Sequence, residues 1–214
     1  MKKQEIKIER SAHYYSLGEI NKETREIWLV CHGYGQLAQY FIEKFKVIER
    51  PKRYIVAPEG LNKFYLKGYN GRVGASWMTK KNRLDEINDY CKFLDTLIFR
   101  IKKQAHKDCR INLLGFSQGT ATLSRWLLRT NEEVAKMVLW GGYIANDFNF
   151  EKYTHLKKNT KILMVFGTDD EFYSKVDIAS YKESMKNLDA KWIEYEGRHT
   201  IPPNIIKEIA DGKD

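Results

Sequence analysis

The sequence Gly-Phe-Ser-Gln-Gly at residues 115–119 decides the fold of this chain. It has the form G-x-S-x-G, with an apolar run at 111–114 before it and a helix-compatible stretch at 120–129 after it. A strand, a sharp turn and a helix in that order are typical of a nucleophile elbow, which holds a serine hydroxyl above the edge of a sheet. Glycines flank the turn because a Cβ there would collide with neighbouring backbone. Ser117 is therefore the candidate nucleophile.

A base must lie within hydrogen-bonding distance of Ser117, since a serine hydroxyl is a poor nucleophile at its ordinary pKa. In chains with this elbow, the acid and the histidine follow the serine. Only His155 and His199, of five histidines, come after Ser117. His155 precedes the loop that carries the candidate acids, so its order is wrong. His199 follows the strand-like segment 191–195 and is the predicted base.

Three consecutive acids, Asp169, Asp170 and Glu171, follow the apolar segment 161–166. One of them is expected to turn toward His199, where it would hold the imidazole tautomer and stabilise the imidazolium. The other two are expected at the surface or at the N-terminus of a helix. Their order along the chain leaves all three acids open.

Acyl transfer also requires hydrogen-bond donors directed at the developing oxyanion. The backbone N–H of Gln118, which follows the candidate nucleophile, is one expected donor. The sequence His-Gly-Tyr-Gly at 32–35 follows the strand-like segment 27–31, and its glycines let the loop bend so that the Tyr34 N–H faces the site. Tyr34 is the second expected donor. His32 is expected to fix this loop by hydrogen bonding.

Together these segments resemble the carboxylesterase/phospholipase family of small α/β-hydrolases, the group that includes acyl-protein thioesterases. The matching residues are 32–35, 115–119, 167–170 and 197–199, so the resemblance spans nearly the whole chain. It implies an α/β-hydrolase fold, with a mostly parallel central sheet and helices on both faces, that hydrolyses esters or thioesters without a metal or organic cofactor. The family's glycine-x-x-aspartate pattern selects Asp170 as the triad acid.

The expected activity is that of a serine carboxylesterase acting on a small-molecule ester. Three alternatives stay open: an acyl-thioesterase, a lysophospholipase, and a non-catalytic binding protein that keeps the hydrolase fold. The fold alone does not choose among them.

Length and composition favour one hydrolase domain over 1–214 with little room for a lid. The net charge is +9, but the basic residues are scattered and no nucleic-acid-binding motif is present, so we expect a solvated lysine-rich surface. With no apolar run of 18 residues and no secretion signal, a cytoplasmic protein without membrane insertion is expected. The oligomeric state, monomer or homodimer, stays open.

Strand-like and helix-like segments alternate along the chain, which favours a mainly parallel sheet covered on both faces. An antiparallel edge hairpin is predicted over 6–20, followed by strands at 27–31, 53–57, 111–115, 136–140, 161–166 and 191–195 and helices at 36–48, 83–103, 120–129, 174–188 and 203–210.

The long segment 58–80 is rich in glycine and aromatic residues. A connection of this length in a compact domain is often functional. The resembling family borders its acyl pocket with this region, so its side chains and one aromatic residue after the acids are candidate pocket walls. The alternative is that the aromatic rings pack in the core. The candidate walls are Trp77, Met78, Tyr65, Phe64 and Phe172.

Overall fold

A computed structural model of the chain describes residues 1–156 and 159–213. Its strands are β1 (Tyr14–Leu17), β2 (Glu26–Cys31), β3 (Arg53–Pro58), β4 (Asn62–Tyr65), β5 (Val73–Ser76), β6 (Arg110–Phe116), β7 (Val134–Trp140), β8 (Lys161–Gly167) and β9 (Ala190–Tyr195). Its α-helices are α1 (Ala38–Phe41), α2 (Arg83–Gln104), α3 (Gln118–Leu127), α4 (Phe150–Leu156), α5 (Lys175–Ser184) and α6 (Pro203–Ala210), and a 3₁₀ helix spans Ile42–Ile48.

The central sheet has seven strands in the order β1-β3-β2-β6-β7-β8-β9. All neighbouring strands are parallel except β1, which runs antiparallel to β3. Parallel strands have their carboxyl ends at one edge of the sheet, so the loops that follow β2, β6, β8 and β9 meet there. The sheet thus gathers the four segments that carry the sequence motifs.

Helices cover both faces of the sheet. Alternate residues of β2 point to opposite sides, as strand geometry requires: Ile27 and Leu29 enter one core, and Trp28 and Val30 enter the other. The first core also contains apolar residues of α2, α3 and α5, and the second contains those of α1, the 3₁₀ helix and α6. The predicted mostly parallel sheet with helices on both faces is confirmed.

The predicted edge hairpin over 6–20 is wrong. Only Tyr14–Leu17 forms a strand in this segment, and it pairs with β3. Gly18 ends the strand with a φ of +78°, where a Cβ would lie 2.6 Å from the Arg53 carbonyl oxygen. The apolar residues Ile6 and Ile8 stay exposed. A local pattern cannot show that the free edge of β3, some forty residues away, supplies the partner.

The segment 58–80 contains a β-hairpin, because β4 and β5 pair antiparallel. Its short strands and glycine-rich turn carry too little alternation to be predicted from the sequence. The predicted helix over 36–48 divides into α1 and the 3₁₀ helix, and α4 was not predicted.

The buried Arg53 connects the last residue of α6 to the amino-terminal ends of β2 and β3. Arg53 is 2% exposed. Its guanidinium donates to Glu26 Oε2 at 2.7 Å, to the Ile48 carbonyl at 2.7 Å and to the Ala210 carbonyl at 2.9 Å. Arg50 also reaches Glu26, at 3.0 Å, but its side chain is 47% exposed. Because Arg53 is buried, removing it costs more stability than removing the exposed Arg50.

We expect Arg53→Met to lower the free energy of unfolding by about 3–5 kcal/mol, because it leaves buried carbonyls and part of a buried carboxylate unpaired. The matched substitution Arg50→Met removes an exposed partner of the same Glu26 and should cost less than about 1 kcal/mol. Urea unfolding of both variants measures the difference. Equal losses would show that Arg53 does not anchor the helix.

Candidate active site

Ser117 occupies a strained turn between β6 and α3. Its φ is +53° and its ψ −116°, a conformation that non-glycine residues rarely adopt. The Ser117 N–H donates to the Trp140 carbonyl at 2.8 Å. A Cβ at Gly115 would overlap the Gly119 carbonyl oxygen, and one at Gly119 would overlap the Cys31 carbonyl oxygen. The motif therefore forms the sharp strand-to-helix turn that the sequence predicts.

His199 and Asp170 form a hydrogen-bonded pair at the same edge of the sheet. His199 Nδ1 lies 2.7 Å from Asp170 Oδ2, and the side chains are 10% and 1% exposed. Asp170 Oδ1 accepts the Phe172 N–H at 2.9 Å, which fixes the carboxylate. Since a carboxylate only accepts hydrogen bonds, the neutral imidazole in this contact has its proton on Nδ1 and its lone pair on Nε2. The pair thus presents a histidine that can accept a proton at Nε2.

Of the three consecutive acids, Asp170 is the one in contact with the imidazole. Asp169 is exposed, and its carboxylate lies 3.4 Å from the Thr168 hydroxyl. The Glu171 carboxylate accepts the backbone N–H of His199 at 3.1 Å. All three acids follow β8, but each has a different neighbour.

Ring contacts and close backbone approach bring His199 beside the elbow. Its imidazole centroid lies 4.6 Å from that of Phe116, the residue before Ser117. The loop after β7 touches both sides of the site: a Cβ at Gly141 would lie 2.9 Å from His199 Cε1, and one at Gly142 would lie 2.6 Å from the Ser117 carbonyl oxygen. Ser117, Asp170 and His199 therefore share one site.

The loop at 32–35 lies directly against the elbow. A Cβ at Gly33 would be 3.1 Å from Ser117 Cβ. The neighbouring amides are occupied, since Gly33 N–H donates to Gln36 Oε1 at 2.9 Å and Gly35 N–H to the Ala75 carbonyl at 2.9 Å. Within the residues that the structure describes, the N–H groups of Tyr34 and Gln118 donate to no protein acceptor. Both are available to a bound oxyanion.

The buried imidazole of His32 fixes the loop at 32–35 and is neutral. Its Nδ1 lies 2.7 Å from the Gly33 carbonyl oxygen, and its Nε2 accepts the Gly60 N–H at 2.9 Å. Since Nε2 accepts, Nδ1 is the donor. Burial lowers the pKa of His32 to about 4, against the smaller opposing effects of the Gly33 carbonyl and Glu59. The imidazole is a structural support, as the sequence predicts.

The side chain of Gln118 joins the elbow to the residues after β5, a role that sequence reasoning missed. Its Oε1 accepts the Trp77 N–H at 3.1 Å, and its Nε2 donates to the Met78 carbonyl at 2.9 Å. An amide is needed here because one contact accepts and the other donates. The glutamine of the motif was the only signal in the sequence.

The candidate pocket walls lie in different environments. Trp77 is 0% exposed and donates its indole N–H to the His32 carbonyl at 2.8 Å. This corrects the expectation that its ring lines a pocket, since a buried ring supports the loop from the core. Met78 is half-buried beside the elbow. Tyr65 is exposed on β4, where alternation turns it away from Phe64.

Phe64 and Phe172 each contact a residue of the candidate site. The Phe64 ring lies 5.0 Å from that of Tyr34, whose side chain is exposed. Phe172 is 69% exposed, and its ring stands edge-on to the His199 imidazole at 4.7 Å.

The part of the chain that the structure describes contains no group of three or more His, Cys, Asp or Glu side chains placed to hold a metal ion. Over the same residues, no helix has both the length and the apolar composition that crossing a bilayer requires.

The model of the serine hydrolase (FSH1) family matches residues 23–207. The chain belongs to the FSH1 serine hydrolase family. No curated protein matches it. The matched region contains the elbow, the loop at 32–35, the three acids and His199, so the family assignment covers the whole candidate site.

Solved structures of similar fold include esterase PE8, with 20% identity and a TM-score of 0.68 over 95% of this chain and 98% of that chain. Acyl-protein thioesterase 2 of Zea mays is 11% identical, with a TM-score of 0.66 over 95% and 98%. The carboxylesterase of Bacillus cereus is 12% identical, with a TM-score of 0.64 over 94% and 92%. These structures and the FSH1 family confirm the α/β-hydrolase fold and the resemblance predicted from the sequence.

We expect the stability of this FSH1-family protein to fall as the pH drops from about 6.5 to about 4, in part through His32. Its pKa is about 4 in the folded protein and about 6.5 for an ordinary exposed histidine, so the unfolded state takes up the proton first and the free energy of unfolding falls by about 2 kcal/mol between pH 7 and pH 5. Urea unfolding at both pH values measures this loss. His32→Gln cannot titrate there, so its loss should be about 2 kcal/mol smaller. An equal loss in both proteins would contradict a buried neutral His32.

Proposed function

We propose that the protein hydrolyses carboxylic esters through an acyl-enzyme formed on Ser117, with His199 as general base and Asp170 as the acid that orients it. The observation that carries this proposal is the 2.7 Å hydrogen bond between His199 Nδ1 and buried Asp170, beside a serine in a strained elbow. Membership of a serine hydrolase family supports the same chemistry.

In the first step, Ser117 Oγ attacks the acyl carbon while His199 Nε2 takes its proton. Asp170 keeps the Nδ1 proton in place, so that Nε2 is the nitrogen that accepts. The imidazolium that forms is stabilised by the buried carboxylate, which stays ionised.

The tetrahedral intermediate needs donors that are in place before the reaction. The N–H groups of Gln118 and Tyr34 would supply them, since both are unoccupied and belong to segments that touch Ser117. Gln36 and Ala75 hold the amides on either side of Tyr34, so the loop does not have to reorganise.

His199 then gives its proton to the leaving group, and the C–O bond of the substrate breaks. A water molecule, activated by the same Nε2, attacks the acyl-enzyme, and the acid product leaves as Ser117 regains its proton. A thioester would follow the same steps with a thiol as leaving group.

We propose an ester as substrate, with a thioester or lysophospholipid as the alternative. We also propose a cytoplasmic location, which the three unpaired cysteines favour.

We expect the protein to hydrolyse p-nitrophenyl esters within the series from acetyl to palmitoyl, and Ser117→Ala to lose at least about a thousandfold in kcat. The initial rate of p-nitrophenolate release measures this, with thermal unfolding as a check that the variant folds. An activity that survives in Ser117→Ala would contradict the proposal. Folded wild-type protein inactive on every ester would favour the thioester or binding alternatives, which palmitoyl-thioester hydrolysis separates.

Asp170→Asn should lower kcat by about a thousandfold or more, because an amide holds the imidazole in the wrong tautomer. Asp169→Asn is the matched control, since its exposed carboxylate contacts neither His199 nor Ser117. It should change kcat by less than about threefold. If Asp169→Asn is the more damaging substitution, the assignment of the acid is wrong.

A further inference from the structure

We propose that Glu171 is a positioning residue that holds the backbone of His199, so that two consecutive acids fix the histidine at two points. This inference rests on the proposed function. Asp170 binds the imidazole at Nδ1, and Glu171 Oε2 accepts the backbone N–H of the same residue at 3.1 Å. Neither contact replaces the other.

The Glu171 contact extends the hydrogen bonding between β8 and β9 beyond the ends of the strands. The Thr168 N–H donates to the Tyr195 carbonyl at 2.9 Å, and the Asp169 N–H donates to the Gly197 carbonyl at 2.9 Å. Beyond Asp169 the backbone hydrogen bonds between these two segments end. At Glu171 the side-chain carboxylate, instead of a backbone carbonyl, accepts the N–H of His199. Both loops approach so closely here that a Cβ at Gly167 would overlap the Gly197 carbonyl oxygen.

The carbonyl groups on either side of His199 are held from the core. The Tyr195 hydroxyl lies 2.9 Å from the Arg198 carbonyl oxygen and 2.6 Å from that of Thr200. The backbone N–H of His199 points in the opposite direction, toward the loop that follows β8. Glu171 accepts this N–H. The contacts from Tyr195 and from Glu171 together fix the position of the His199 imidazole beside the elbow.

The lengths of the two acids match their separate contacts. The shorter Asp170 reaches the half-buried imidazole, and the longer Glu171 reaches over the surface to the backbone N–H of His199. The pKa of Glu171 is lowered by its own backbone N–H and then by that of His199. The carboxylate is therefore ionised at neutral pH, and both of its oxygens can act as acceptors for the His199 N–H.

The test is steady-state hydrolysis of the best p-nitrophenyl ester by Glu171→Ala, Glu171→Asp and Glu171→Gln. We expect Ala and Asp to lower kcat about tenfold at unchanged KM, since neither reaches the His199 N–H. Gln keeps an acceptor oxygen at the same distance and should restore kcat to within about threefold. If Glu171→Ala does not fold, the comparison of Asp with Gln carries the test.

Glu196→Ala removes an exposed acid from the same loop as His199 and is the control, with kcat expected within about twofold of wild type. Wild-type kcat in Glu171→Ala would overturn the inference, as would a change in KM alone. An equal loss in Glu171→Gln would also overturn it, because charge rather than the hydrogen bond would then be responsible. The proposed function fails separately, through activity that survives in Ser117→Ala.

Discussion

Backbone segments meet at the carboxyl edge of the sheet more closely than side chains would allow, and the rest of the site depends on this approach. A Cβ at Gly119 would overlap the Cys31 carbonyl oxygen, and one at Gly167 would overlap that of Gly197. The first contact sets the elbow against β2, the strand that leads into the loop at 32–35. The second joins the acid loop to the histidine loop. Glycine at these positions lets the loops that follow β2, β6, β8 and β9 lie close to one another.

Because the loops approach so closely, the unfavourable conformational energy of the site lies in its backbone. Ser117 is held at a positive φ, which is unfavourable for a side chain larger than hydrogen. The bond from its N–H to the Trp140 carbonyl and the amide contacts of Gln118 restrain the turn from both sides. Buried neutral His32 restrains the neighbouring loop. These restraints would hold the proposed oxyanion donors in place before a substrate binds, as electrostatic stabilisation of a transition state requires.

Features set by neighbouring residues could be predicted from the sequence, and features set by distant ones could not. The elbow, the six parallel strands and the loop role of His32 follow from local patterns. Order along the chain left three acids open, and the family pattern pointed to Asp170, which the structure places against His199. Burial of Trp77 depends on a carbonyl 45 residues away, and the edge strand depends on β3. Short-range periodicity in the sequence does not identify partners that lie so far along the chain.

We propose that Ser117 is the activated nucleophile of this site. The most direct measurement is to treat the folded protein with a fluorophosphonate probe, which reacts with activated serines, and to locate the adduct by mass spectrometry of the digested chain. We expect one adduct, on Ser117, and none on the surface residue Ser174, which caps a helix. Protein unfolded in urea should take up no probe. An unlabelled Ser117 in folded protein, or an adduct on another residue, would show that Ser117 is not the activated nucleophile.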